Sequence, residues 1–332
     1  MTIRLATDAD RNAWNRYVDT HGEVPPCPRY EWRDILERAY RVTTYLFLAE
    51  DEQGAVKGIC PTYVTKPWGG KPILYSLRFG LLADDAHTYA TMLAHLEAFC
   101  REQGIVSYLI TSGYAKCGSG TQPLIKRTLV MNTAGSGEAL WNSLRNKTRN
   151  MIRKAQHAGL TVEHGFENIG IFYRIYKERM LGKHIPIHGL DFFEHLAKEL
   201  KGSAELLVAK QGNVPLAGMV LLWGSHTALY PYQASSPQGE RVAANQFLIW
   251  EAMRFCQAHG ITSMDMGESK EGSPVYQSKL NFGGTPREIY YYSGGAGSSS
   301  GLSSLPQWLL VHAPFWIGEK MGPWIKRQGR II

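Results

Sequence analysis

The chain has 332 residues, 44% of them hydrophobic and 20% charged, with a formal net charge of +7 and a pI near 9.1. That balance excludes a disordered or low-complexity chain and fits about two domains of ordinary size, each with its own apolar core. The basic excess favours polyanionic partners, and Cys27, Cys60, Cys100, Cys117 and Cys256, without a CxxC pair, argue against a disulfide framework or a zinc site.

The start, Met1-Thr2-Ile3-Arg4-Leu5-Ala6, lacks the apolar stretch of a signal peptide, and no run reaches the roughly 18 apolar residues of a membrane span. A cytoplasmic protein is expected. Patterning predicts helices over 8–18 and 29–40, paired strands over Thr44–Glu50 and Val56–Val64, and a strand at Ile73–Leu77. A helix over His87–Gln103, with Met92, Leu93, Leu96, Phe99 and Cys100 on one face, leads into a strand at Val106–Thr111. After Gly135-Ser136-Gly137, helices are expected over Ala139–His157, Tyr173–Leu181 and Phe192–Leu200. Strands follow at Glu205–Lys210, Leu216–Trp223 and Thr227–Gln233, then a helix over Asn245–His259, a strand at Ser263–Gly267 and an extended segment at Arg287–Tyr292. Gly294–Ser304 reads as a flexible Gly/Ser linker.

The two halves repeat one another. Phe99-Cys100-Arg101-Glu102-Gln103-Gly104-Ile105-Val106-Ser107 returns as Phe255-Cys256-Gln257-Ala258-His259-Gly260-Ile261-Thr262-Ser263, and the step from Ala49 to Gly58 returns from Ala209 to Gly218. A hairpin, a helix and a closing strand therefore recur in the same order at an offset of about 156 to 160 residues. The expected fold class is α/β with mixed sheets in two tandem domains, 1–134 and 135–293. Residues 294–332 form the linker and an amphipathic tail.

Three segments could carry chemistry. On a helix, Arg145, Arg149 and Arg153 stack at i, i+4, i+8 beside an apolar seam of Leu144, Met151, Ala155 and Ala158, with Lys147 and Lys154 nearby and no acid among them. Such a face is either solvated or set against phosphates. In Asp265-Met266-Gly267-Glu268 a strand runs into a Gly loop, a usual place for a site, and Lys279 follows among apolar residues. Lys279 is either a snorkelling lysine or a functional cation. Finally, alternation places Tyr230, Tyr232 and Ala234 on one strand face, as core residues or, for Tyr232, as a catalytic group.

These stretches resemble a known family. Lys147-x-Arg149-x-x-Ile152-Arg153-Lys154-Ala155-x-x-x-Gly159, the segment Phe247–Gly267, and Tyr276-x-x-Lys279-x-x-Phe282-Gly283 are similar to motifs of FemAB-like proteins, and Leu81-Leu82-Ala83-Asp84-Asp85 echoes their first domain. Ser278 departs from the pattern, standing where the family usually has Phe. The resemblance covers roughly 40–290 and implies two tandem GNAT-like domains carrying an N-acyltransferase. It further implies an acyl or aminoacyl group passed from aminoacyl-tRNA or acyl-CoA, without a resident cofactor or metal, to an amine of a cell-envelope or polysaccharide precursor. Lys279, Asp265 and Tyr232 are then the candidate catalytic residues. Arg145, Lys147, Arg149, Arg153, Tyr276 and Glu268 are candidate substrate contacts.

GNAT enzymes that use CoA hold its pyrophosphate on a Gly-rich loop opening a helix. Here Gln238–Asn245 holds one Gly and a Glu, which tilts the donor from CoA toward aminoacyl-tRNA or another donor. An acyl-CoA-dependent acetyltransferase on an amino sugar, and a non-catalytic pair binding tRNA or a lipid-linked sugar, are the rival readings. The tail from Leu305, with Trp308, Trp316 and Trp324 beside Lys320, Lys326, Arg327 and Arg330, suits a membrane interface. It is expected either to dock on anionic lipid, bringing the enzyme to a lipid-linked acceptor at the inner membrane face, or to brace the second domain.

Overall fold

Runs rich in β-branched and aromatic residues that turn at Asp51–Ala55 and at Gly212 fold as antiparallel hairpins, and each hairpin seeds a sheet. The computed structural model describes residues 1–117, 122–295, 315–328, 330 and 331. Contacts divide the chain into unit 1 (Met1–Lys126, Pro186–His195 and Glu288–Ile332) and unit 2 (Arg127–Ile185 and Leu196–Arg287). Unit 2 thus opens at Arg127 rather than 135, and a short piece of the second half serves unit 1.

Unit 1 begins with β1 (Thr2–Leu5), α1 (Arg11–Thr20), α2 (Trp32–Tyr40), β2 (Thr43–Glu50) and β3 (Val56–Thr65). It continues with β4 (Ile73–Ser76), β5 (Leu82–Ala83), α3 (Ala86–Glu102) and β6 (Ser107–Gly113). Its sheet runs β1-β2-β3-β4-β6, antiparallel except where α3 returns the chain to a parallel β4/β6 pair. The Asp85 side chain caps α3 by accepting from the Thr88 amide. Phe47, Leu74, Met92, Leu96 and Ile110 are core, and a Cβ at Gly58 would lie 2.5 Å from Met92 Sδ, so the glycine lets α3 approach β3.

The chain then gives β7 (Leu124–Asn132), α4 (Gly137–Ser143), α5 (Asn146–His157), β8 (Leu160–His164), α6 (Ile169–Leu181) and α7 (Leu190–Glu199). Next come β9 (Ala204–Gln211), β10 (Val214–Trp223), β11 (Thr227–Ser235), α8 (Pro237–Arg241), α9 (Ala244–Ala258), β12 (Ser263–Asp265) and α10 (Pro274–Leu280). In unit 2 the sheet runs β8-β9-β10-β11-β12-β7, antiparallel except for the parallel β11/β12 pair that follows α9. β13 (Thr285–Gly295) and α11 (Phe315–Arg327) close the chain, and β13 pairs with β6 in unit 1.

The repeat extends to a bulge, though not to the exact register, since Gly58 faces Ala49 whereas Gly218 faces Val208. Both hairpins carry a bulge at the same place: Lys57 is skipped between Glu50↔Val56 and Ala49↔Gly58, and Leu216 between Lys210↔Pro215 and Ala209↔Ala217. In each unit the strand beside the parallel pair is out of sequence order, β13 beside β6 and β7 beside β12.

Two expectations are corrected. The helix over Ala139–His157 is broken at Leu144, which is extended (ψ 140) and buried. Arg145 is consequently the N-cap of α5, leaving Arg149 and Arg153 as the stacked pair, while Thr148, Ile152 and Ala155 take the buried face. The strand pattern at Tyr230 also fails. Val220 pairs with Tyr232 but Leu222 with Leu229, so β11 bulges at Tyr230-Pro231. Tyr230 joins the core that contains Leu221 and Trp250, whereas Tyr232 shares the opposite face with Ala234 and Gly218, whose Cβ would meet Phe172 of α6 at 2.6 Å.

Of the tail, residues 305–314 and most of the Gly/Ser linker lie outside the described residues. The described part packs within unit 1: Ile325 and Ile331 are buried, Ile331 N–H donates to Tyr63 Oη at 2.9 Å, and a Cβ at Gly322 would lie 2.5 Å from Ile187. Beside it, His188 is fully buried against Tyr40, Phe192 and Phe193, hydrogen-bonded to the Tyr40 hydroxyl. Burial, with a smaller contribution from the Lys326 charge, holds its pKa well below the ordinary value. The folded form therefore binds fewer protons than the unfolded chain, so this stability is present above about pH 6.5 and is lost as pH falls below it. His188→Gln is expected to flatten the decline of Tm between about pH 6.5 and 5, measured by a thermal-unfolding pH series against the parent. An unchanged slope would assign that decline to other groups.

Candidate functional site

Unit 2 brings three of the sequence-flagged residues, Asp265, Glu268 and Lys279, together where β12 ends. Asp265 is fully buried, and its carboxylate accepts from the Thr128 hydroxyl at 2.6 Å and from the Gly267 amide at 2.6 Å. Gly267 takes a left-handed conformation (φ 82), which turns the chain into the following loop. That loop is fastened to β7 by Met266 N–H to Leu129 O (2.8 Å) and Ser269 N–H to Arg127 O (3.2 Å). From α10, half-buried Lys279 donates Nζ–H to Gly267 O at 2.8 Å and to Glu268 O at 3.4 Å. Asp265, Glu268 and Lys279 thus share one hydrogen-bonded constellation, with Thr128 a member that no local signal in the sequence marks.

Tyr276, one turn before Lys279, is buried in the unit 2 core and serves packing. Tyr232 lies on the far face of its strand. Its neighbour Tyr230 is buried on the core face, and desolvation together with the Asp265 charge raises its hydroxyl pKa.

The cationic segment sits next to α10. The Asn281 carbonyl, at the C-terminal end of α10, accepts from Thr148 Oγ1 (2.7 Å) and from the Arg145 amide (3.2 Å), so a helix C-terminus meets a helix N-terminus with favourable dipole signs. This contact sets the break at Leu144. Between α5, the first turn of α9 and α10 lies a cleft of about 330 Å³, lined by Lys147, Thr148, Met151, Gln246, Gln277 and Ser278 among others. Neither α5 nor α9 has a side-chain cap, and Ala243, before α9, is left-handed (φ 61). Two uncapped N-terminal turns and the Lys147 ammonium make the cleft a place for an anion.

Arg145, Lys147 and Arg153 are exposed and Arg149 half-buried. Arg149 is bonded to the Asn146 side chain, and the Arg153 guanidinium lies 5.3 Å from the Trp141 ring centre. Among the described residues none of the four forms an ion pair with a carboxylate. Thr148, Gln246 and Asn281 were not singled out in the sequence. Thr148 could have been, as the one buried polar residue between two cations.

The loop before α9 is closed on itself. The amides of Gly239, Glu240, Val242 and Ala243 donate to Ser236 Oγ, Ser236 O, Gln238 O and Glu240 O. Glu240 is paired with Arg179, and a Cβ at Gly239 would overlap the Leu216 carbonyl. Gly239→Ala should therefore cost about 1–3 kcal/mol through forced displacement of α8 or β10. A denaturant titration checks this, and an unshifted midpoint would mean that the turn yields freely.

Residues 142–278 match the acetyltransferase (GNAT) domain model. No curated protein matches the chain. Among solved structures, FemX aligns with a TM-score of 0.66 at 15% identity, covering 87% of this chain and 97% of that one. A tandem GNAT protein from the clavulanic acid biosynthesis pathway gives 0.54 at 11%, covering 90% and 100%. L-PGS from Bacillus licheniformis gives 0.51 at 11%, covering 86% and 96%. At these identities the likeness is one of fold: the chain has the tandem GNAT fold.

Proposed function

We propose that the chain is an N-acyltransferase that passes an aminoacyl group from a tRNA carrier to the amine of a cell-envelope or polysaccharide precursor. The observation that carries the reading is the cationic face of α5 beside the cleft at the first turns of α5 and α9. From Arg145 to Arg153 this face spans about 12 Å, room for several phosphates of a nucleic-acid backbone. The closed turn at Gly239 favours tRNA over CoA, because four of its amides already have partners and do not face a pyrophosphate. The uncapped N terminus of α9 is the feature that favours the acyl-CoA alternative.

In this reading the neutral amine attacks the ester carbonyl, and negative charge collects on the carbonyl oxygen. The Lys279 ammonium, held by two loop carbonyls, stabilises that charge. Asp265 and Glu268 shape the loop that holds the lysine. Transfer is direct, without a covalent enzyme intermediate: the tetrahedral adduct collapses with cleavage of the ester C–O bond, and the ribose hydroxyl of the tRNA leaves carrying the proton that the attacking amine gives up. The test is to offer labelled aminoacyl-tRNA and labelled acyl-CoA with a panel of amines, including lipid-linked amino sugars. Label moving from tRNA supports the proposal, label moving only from CoA selects the alternative donor, and no transfer from either leaves a binding protein.

A further inference from the structure

We infer that unit 1 carries a peripheral docking surface for anionic lipid at the β3–β4 hairpin tip, built around Trp68. The inference stands apart from the acyl-transfer reading. At 70% exposure Trp68 is the most exposed of the large hydrophobic side chains among the described residues. It sits in the turn Lys66-Pro67-Trp68-Gly69-Gly70-Lys71, where Gly69 is left-handed (φ 69) and both lysines are exposed. An indole left in water without a partner, between two ammonium groups, is costly for a soluble surface and matches the headgroup level of a bilayer.

The tip has cationic neighbours. Thr43 pairs with Val64 and Thr65 with Ile73, so the tip projects from the same end of the ladder as Arg41, which is exposed. The exposed Arg327 reaches that point from the tail, donating to Arg41 O at 3.2 Å, and Trp324, one turn earlier, is 38% exposed. Two exposed indoles and four cations therefore belong to one end of unit 1. None of the four cations forms an ion pair with a carboxylate among the described residues. Charge complementarity selects an anionic surface, and the flat apolar ring selects lipid over a solvated polyanion.

The test is vesicle flotation of the full chain with phosphatidylcholine alone and with phosphatidylcholine–phosphatidylglycerol mixtures. The parent should float with the mixed vesicles and stay behind with the neutral ones. Reversing both lysines (Lys66→Glu, Lys71→Glu) should weaken partition at least about 30-fold, as follows from about 1 kcal/mol per cation at the surface. Trp68→Ala should weaken it about tenfold, and Trp68→Phe should retain most of it. Tm should move little in any variant, because Lys66, Trp68 and Lys71 are all exposed. Equal flotation of parent and variants, equal affinity for neutral and anionic vesicles, or displacement of the protein from vesicles by RNA through the same lysines would each overturn the inference.

Discussion

Replacing Lys279 with Ala is expected to lower acyl transfer by 100-fold or more while leaving the protein folded. Its Nζ donates to Gly267 O and Glu268 O, and hydrogen bonds from a charged donor to a loop contribute about 1–3 kcal/mol in total. The loop keeps its other fastenings, namely the Asp265 carboxylate on the Gly267 amide and the two bonds to β7, so the variant should lose stability without losing structure. Removing a donor that meets a developing oxyanion costs about 100- to 1,000-fold in rate, well beyond what a modest stability loss can produce. The kinetics separate that role from a second one, contact with a phosphate of the donor. A fall in kcat with an unchanged KM places the ammonium at the reacting carbonyl, whereas a rise in KM alone places it on a donor phosphate. Full activity in the variant would end both roles.

Neutralising Lys147, Arg149 and Arg153 together, each to Gln, is expected to weaken donor binding by about 100-fold at low salt and to flatten its salt dependence. Each lost phosphate contact reduces the slope of log affinity against log salt by roughly 0.7 to 0.9, so three contacts remove about two units or more. Stability should change little, because Lys147 and Arg153 are exposed and Arg149 half-buried, while Thr148, Ile152 and Ala155 hold the helix down. Filter binding or anisotropy across a salt series gives both numbers. Parallel lines for parent and variant would return this face to ordinary solvated surface.

The repeated core was legible because its marks are local. Gly54 and Gly212 turn the hairpins, Gly104 and Gly260 end the helices, and all four have positive φ. The strands that flank the repeats were not legible in the same way. β8 reads as a weak polar run and β7 as a stretch without a nearby mate, and their pairing is decided by partners far along the chain. The site shows the same division. Lys279 and Asp265 stood out by chemistry and local spacing, but the contribution of Thr128 depends on a bond across 137 positions. Tyr232 was misplaced because a bulge at Pro231 shifts the alternation by one residue. The break in the cationic helix was hidden for a related reason, since the Asn281 carbonyl that fixes it arrives from the end of α10.

The pairing of β6 with β13 has a consequence for biosynthesis. Leu109 must wait for Ser293 before its strand has a neighbour on that side. At about 5–20 residues per second the nascent chain presents an open β6 edge for on the order of ten seconds or longer. During that interval the first half is a sheet with unsatisfied peptide groups and a template for pairing with other chains. The late strand thus sets the point at which the open edge of the amino-terminal half is covered and can no longer template pairing with other chains.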